Sequence, residues 1–527
     1  MSLSMKIVTG KSFNPTLIFA VLALVALVVN CVVNYPYRPF PTDELWSYSI
    51  PLKGGDWLAD ADDVLLNSPV HIYTLIAVKQ VVTLLQIEWF QTFLVTVAIC
   101  LSGAAFLLGM TIQEVTGRLL FSLGAMVLFI VSAWSQTYLH FYTYGPVAVL
   151  FMMASLYCFT KFYLKGTGIS WGVAAGLFAG LFFLSSSSAK LMACLLLGAY
   201  TLLMVTSTIT GKYRQCLGML SAAAVPIIGF MPMYLNPLLD HLKANVECNH
   251  AIVCHMRYGL IPKTPFFSFF YLLSVYSPPL LVFLLVSLAI AVIKGRSLVR
   301  IGREGILVLT FMALILLHTV ILDLLPFTKL GRSQFVLLPL VIMAVTLLYA
   351  NFPTKKRIGG WIFLGFILVT VPFDISASTE TWTVRREAPE ELESLPNDTI
   401  CYVLAEDPHE YFIKDWLGFP DNNSTRLADI PQLVAARTTP VAIIVGPTGP
   451  NSGKSILRHS ILFDFSYELP SGIRESPHQI KLPYYAHYPF FMMEEENCQF
   501  FYFYHQIPQS TDPQSQLTVY YWPAKAR

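Results

Sequence analysis

The chain has 527 residues, of which 55% are hydrophobic and only 13% charged, with a mean hydropathy of +0.59. Ordinary soluble domains carry roughly a quarter charged residues, so a wholly water-soluble protein is excluded and lipid is the expected solvent for most of the chain before Ser378. The formal net charge of +2 decides little by itself, because it averages a lipid-facing part and a water-facing part.

In chain order, the first apolar run is Thr16 to Val33. It is long for the apolar stretch of a signal peptide and no small-residue cleavage signal follows it cleanly, so it reads as a retained first helix over 15–34. Further spanning helices are expected near 91–112, 119–136, 144–164, 170–187, 190–209, 216–235, 269–293, 304–323, 333–351 and 358–375. That is about eleven crossings. Between them the connections alternate in charge. One side carries Lys6 and Lys11, Arg118, Lys161 and Lys165, Lys212 and Arg214, Lys294 with Arg296, Arg300 and Arg303, and Lys355, Lys356 and Arg357. By the positive-inside rule this side is cytoplasmic. The other side receives the acidic 35–68 loop, the 137–143 turn, the 236–268 loop and everything after the last helix. An odd number of crossings therefore exports the C-terminal part. The segment Pro69 to Phe90 is apolar but interrupted by Lys79, Gln80 and Gln86, and is expected to lie along the outer interface.

From Ser378 onward apolar and polar segments mix. Thr399 to Leu404 and Pro440 to Val445 read as short buried strands, His409 to Leu417 and Ser455 to Ile461 as helices, and Gln499 to His505 and Leu517 to Trp522 as antiparallel strands. The expected fold class is thus a polytopic α-helical membrane domain over 1–376, with an outer loop over 35–90, followed by an extracytoplasmic soluble α/β domain over 377–527.

Two local patterns are weak. Gly446 to Ser455 follows a strand as a phosphate-binding loop would, but Thr448 stands where that motif needs a glycine, and two prolines remove N–H groups from the cradle. Cys248, His250, Cys254 and His255 are metal-capable but compressed, whereas zinc normally uses separated ligand pairs. Cys248 with Cys254, and Cys401 with Cys498, are potential disulfides in an oxidising compartment.

The pattern that carries chemistry follows the first helix: Tyr37-Arg-Pro-Phe-Pro-Thr-Asp-Glu-Leu-Trp-Ser-Tyr48. Adjacent carboxylates near the membrane edge, Asp43 and Glu44, can bind a cation, accept a proton from an attacking hydroxyl, or simply be solvated. Later in the loop comes Asn67-Ser-Pro-Val-His-Ile-Tyr73, and further on His140-Phe-Tyr-Thr-Tyr144. Lys190 ends the run Ser185-Ser-Ser-Ser-Ala-Lys, and Lys329-Leu-Gly-Arg332 precedes a late helix. These basic residues fall on the outer side, where cations need a reason: snorkelling to the headgroups supplies one, and a phosphate group at the outer leaflet another.

This set resembles the GT-C superfamily of membrane glycosyltransferases, in particular protein O-mannosyltransferases and lipid A aminoarabinose transferases. Those enzymes open their first outer loop with an Asp-Glu pair, as Asp43-Glu44 does. Their His-Pro-Pro-Leu-Tyr-Tyr stretch is matched in part, with the histidine displaced to His71. At 140–144 only Tyr144 is kept and the family's acidic residue and arginine are missing. Asp56, Asp60, Asp62 and Asp63 are possible substitutes. The resemblance implies transfer of a sugar from a polyprenyl-phosphate-linked donor to a glycan, lipid or protein acceptor on the outer face, with inversion. It implies Asp43 as base, Glu44 as its helper or metal contact, Lys190, Lys329 and Arg332 at the phosphate, and His71 and Tyr144 in the substrate site. A divalent cation, Mg or Mn, is the one cofactor left open. Membrane lipids are expected partners and nucleic acid is not. A bacterial inner membrane is favoured over the endoplasmic reticulum.

Two other readings fit a polytopic chain. A lipid or small-solute transporter or flippase would show two similar halves, charges inside helices and a small exported domain; this sequence has no evident repeat, gathers its charges on outer loops and carries a sizeable domain after the last helix. A non-catalytic partner in envelope assembly would account for the missing charges at 140–144.

Overall fold

The computed structural model describes residues 14–35, 37–38, 69–86, 91–139, 144–166, 168–186, 189–207, 211–230, 268–324, 334–351, 356–379, 384–385, 395–396, 398–404, 430–445, 478–483 and 516–525. Helix α1 (Pro15–Asn34) starts where Pro15 presets the first turn and the Asn14 side chain accepts from the Thr16 N–H at 3.0 Å. Strand β1 (Tyr37–Arg38) follows, then α2 (Pro69–Leu84), α3 (Gln91–Thr116), α4 (Leu119–Val131), α5 (Ala133–Thr137), α6 (Gly145–Lys165), α7 (Ile169–Phe183), α8 (Ala189–Thr206) and α9 (212–230). The second half of the membrane part holds α10 (Ser268–Tyr276), α11 (Pro278–Ile301), α12 (Arg303–Leu324), α13 (Leu337–Ala350) and α14 (Lys356–Thr379). Seven helices, α1, α3, α6, α8, α11, α12 and α14, are long and apolar enough to cross a membrane, and the protein is an integral multi-pass membrane protein. The shorter α4, α7 and α13 stand at the other expected positions, as does α9.

Two expected helices are broken. The one over 119–136 divides at Ser132, whose ψ of 130° leaves the helical region. The one over 269–293 divides at Ser277, because Pro278 and Pro279 have no N–H with which to continue a helix and instead open α11.

The basic segments meet at one end of the bundle. There the Arg303 guanidinium donates to the carbonyls of Tyr163 and Leu164 at 2.8 and 3.2 Å, closing the C-terminus of α6. Arg118 donates to the Ala350 carbonyl at 2.8 Å, closing α13, and Lys212 donates to the carbonyls of Val205 and Ser207, closing α8. Lys165 pairs with Glu114 at 3.1 Å. Cations at helix C-termini meet unsatisfied carbonyls and the negative end of the helix dipole.

The opposite end fixes the topology. Gln91, at the start of α3, donates to the Tyr35 carbonyl at the end of α1. The chain from 35 to 91 therefore begins and ends on one face, so α2 does not make a single crossing. Gln136 bonds Asn30 from the same side. Strand β2 (Val384–Arg385), just beyond α14, pairs antiparallel with β1, with Tyr37 opposite Arg385. The exits of α1 and α14 thus share a face.

Every residue of α13 is buried, which makes it the central helix of the bundle. Helices α7 and α9 approach so closely that a Cβ on Gly176 would meet the Met219 carbonyl, and one on Gly180 the Ala223 carbonyl. Small residues at four-residue spacing permit such contact in lipid.

Beyond β2 the described elements are β3 (Ile400–Leu404), α15 (Ile430–Ala436), β4 (Val441–Val445), β5 (His478–Pro483) and β6 (Gln516–Trp522). They form one sheet in the order β3-β4-β6-β5, parallel between β3 and β4 and antiparallel elsewhere. Both faces are covered: Val441, Ile443, Tyr520 and Trp522 pack with Val434 of α15, while Cys401, Ala442, Ile444 and Val519 belong to the large apolar cluster that includes the helices. Burial on both faces explains the unbroken apolar runs of β3 and β4. Cys401 is a free thiol, pushed up to about 11 by burial, while Cys498 lies outside the described residues.

Candidate functional site

Three of the seven residues singled out from the sequence are described, and they lie at the end of the bundle opposite the basic caps. His71 stands in the first turn of α2, 2% exposed. Tyr144 caps α6 and is also buried. Lys190 is the second residue of α8 and is half-buried. Asp43, Glu44, Lys329 and Arg332 lie outside the described residues, as do Asp56, Asp60, Asp62, Asp63, the Cys248 to His255 set and the glycine-rich stretch 446–455.

Local chemistry brings the three helix starts together. The Val70 N–H, unsatisfied within α2, donates to the Leu184 carbonyl just past α7. Val70 also packs with Val147 of α6 and Cys100 of α3, so His71 and Tyr144 flank one small apolar cluster. From Leu184 the chain turns through Ser186, whose hydroxyl accepts from the Ala189 N–H at 3.3 Å where α8 starts, one residue before Lys190. Beneath α2 runs a cavity of about 470 Å³ walled by Val70, Tyr73, Ala77, Phe151, Leu181 and Phe230. Its walls are almost wholly apolar, and Tyr73 meets Phe230 with ring centroids 5.7 Å apart.

An aromatic cluster adjoins this junction. Trp134 stacks on Tyr276 at 4.8 Å, Phe335 lies on Tyr138 at 4.3 Å, and Trp134 and Phe335 are 6.0 Å apart. Gly145, next to Tyr144, sits against both rings: a Cβ there would come within 3.2 Å of Tyr138 and 3.3 Å of Phe335. Phe335 is three residues after Arg332 in sequence.

Sequence reasoning passed over the buried polar side chains inside the helices. Asp374 on α14 and His318 on α12 are each 1% exposed, and Thr370, Ser277 and Gln334 are equally enclosed. An ionisable residue within an apolar span is itself a functional signal, and Asp374 stands near the end of the span expected over 358–375. Among the described residues no three His, Cys, Asp or Glu side chains gather as a metal site. A second cavity, of about 430 Å³, lies between β3 and α15, where Arg437 donates to the carbonyls of Pro523 and Val434.

No protein-family model matches the sequence, and no curated protein matches it. Solved structures do resemble it. One is ArnT from Cupriavidus metallidurans in the apo state, 13% identical, covering 82% of this chain and 93% of its own, with a TM-score of 0.49. The same protein bound to undecaprenyl phosphate is 12% identical over the same shares, with a TM-score of 0.43. The archaeal oligosaccharyltransferase AglB from Archaeoglobus fulgidus, in complex with an inhibitory peptide and a dolichol-phosphate, is 12% identical, covering 81% of this chain and 69% of its own, with a TM-score of 0.47.

Proposed function

We propose that the protein is a membrane glycosyltransferase that moves a sugar from a polyprenyl-phosphate-linked donor to an acceptor hydroxyl on the outer face of the membrane. The observation that carries this reading is the apolar cavity beneath α2, which begins at Val70 beside His71, while the Val70 N–H bonds Leu184, six residues before Lys190 in the chain. An apolar groove with a cation at the same end of the bundle suits an amphiphile with a long hydrocarbon chain and an anionic head.

In this reading the polyprenyl chain lies under α2 and its phosphate meets Lys190, with Lys329 and Arg332 completing the cationic set. Tyr144 and His71 border the sugar. The carboxylate of Asp43 takes the proton of the acceptor hydroxyl as its oxygen bonds to the anomeric carbon. The bond from that carbon to the phosphate oxygen breaks, and the phosphate departs with the electron pair toward the basic residues. Attack opposite the leaving group inverts the anomeric centre. Glu44 helps orient Asp43, and this pair would hold a divalent cation, Mg or Mn. The extracytoplasmic domain over 377–527 is assigned to the acceptor side, and the basic end of the bundle to the cytoplasm, most simply at a bacterial inner membrane.

The test is Asp43→Asn in a purified transfer assay with a lipid-linked sugar. Loss of the general base lowers the rate by about 10²–10⁴-fold while expression and membrane insertion stay intact. An unchanged rate removes Asp43 from the mechanism.

A further inference from the structure

Two helix interruptions and one internal proline fall near the aromatic cluster. Helices α4 and α5 part at Ser132, α10 and α11 part at Ser277, and α14 carries Pro372 within it. Between them is Asp374, one turn beyond Thr370 on the buried face of α14, with the Ser277 side chain adjoining its carboxyl. The Asp374 Oδ1 and Thr370 Oγ1 atoms are buried without a hydrogen-bond partner, and the Ser277 hydroxyl meets the Asp374 carboxyl. A lone carboxylate in such surroundings is costly unless something of opposite charge meets it.

The surrounding groups favour a cation. Helix α10 ends here, turning the negative end of its dipole toward Ser277. Pro279 has no N–H for the Val275 carbonyl, so that carbonyl lacks its helical donor. Acceptors thus outnumber donors. No lysine, arginine or histidine stands on α5 or α10, and those of α11 and α14 stand at the far ends of their helices. Interrupted membrane helices that turn carbonyl ends and a carboxylate toward one point are a known way of holding a small cation within a bilayer.

We propose that Asp374, Ser277 and Thr370 form a binding site for one monovalent cation, Na⁺, which locks the broken helices α10–α11 and the proline-bearing α14 together. A single positive charge cancels the single carboxylate, whereas a divalent ion would leave a buried excess. The oxygen set of carboxylate, hydroxyls and backbone carbonyl is that of a hard cation rather than a transition metal.

The experiment follows thermal unfolding of the full chain in detergent, with NaCl exchanged for choline chloride at constant ionic strength and pH. Binding to the folded state raises the melting temperature with Na⁺ concentration. A rise of a few degrees is expected for the native protein, and none for Asp374→Asn. Should Asp374→Asn fail to fold, Ser277→Ala serves instead and requires about tenfold more Na⁺ for the same shift, the equivalent of one lost ligand. Equal melting in Na⁺ and choline overturns the site, since the carboxyl is then neutralised by a proton alone. A Na⁺ response that Asp374→Asn or Ser277→Ala retains in full also overturns it. The readout involves no sugar transfer, so its failure is separate from failure of the transferase reading.

Discussion

The two ends of the helix bundle solve the same problem with opposite means. At the basic end, Arg303, Arg118 and Lys212 each donate to the last carbonyls of a neighbouring helix, and Lys165 is held by Glu114. At the other end the starts of α2 and α6 meet around Val70, and the buried groups described there include aromatic rings, hydroxyls, His71 and the carboxylates Asp323 and Asp374. One end spends its cations on its own backbone. The other places Lys190 at the start of α8, six residues after Leu184, whose carbonyl accepts from Val70 on the cavity wall.

The largest effect should come from the seam between the ends. Gly176→Leu places a side chain against the Met219 backbone and should cost about 3 kcal/mol or more, as overpacking does; thermal unfolding in detergent measures it, and both ends should loosen together. Next, Lys190→Ala should lower transfer by about 10–100-fold, the usual worth of a hydrogen bond to a charged group. A matched rise in donor KM with little loss of folding stability would mark Lys190 as a ligand contact; a fall in melting temperature with unchanged kinetics would make it structural. The smallest effect is expected from Arg303→Met, which removes a cap from α6 at a cost of about 1–2 kcal/mol. Transfer by the folded fraction should stay unchanged, and if it falls, the division of labour between the ends is wrong.

Much of the helical framework was readable because length and hydropathy act locally. Expected and observed bounds agree closely for α1, α6, α12 and α13. The sorting of basic segments to one end was also readable, since each cation stands a few residues from the helix terminus it serves. The break at Ser132 was not, because the residues on either side are apolar and a hydropathy window averages across it. The break at Ser277 had a signal in Pro278-Pro279, a pair that starts helices and cannot sit inside them. Asp374 had one as well, as a carboxylate within an apolar run. That His71, Tyr144 and Lys190 come to neighbouring helix starts was not legible, since it depends on contacts between distant segments such as Val70 with Leu184.

The short pairing of β1 with β2 has a consequence for how the protein is made. Tyr37 leaves the membrane with the first helix, yet its partner Arg385 emerges only after the last. Throughout synthesis the segment bearing Asp43 therefore waits without that clasp. A chain truncated before Val384 should insert its helices normally and still lack the strand that pairs with Tyr37 and Arg38. Closure of this end of the bundle is thereby tied to completion of the polypeptide.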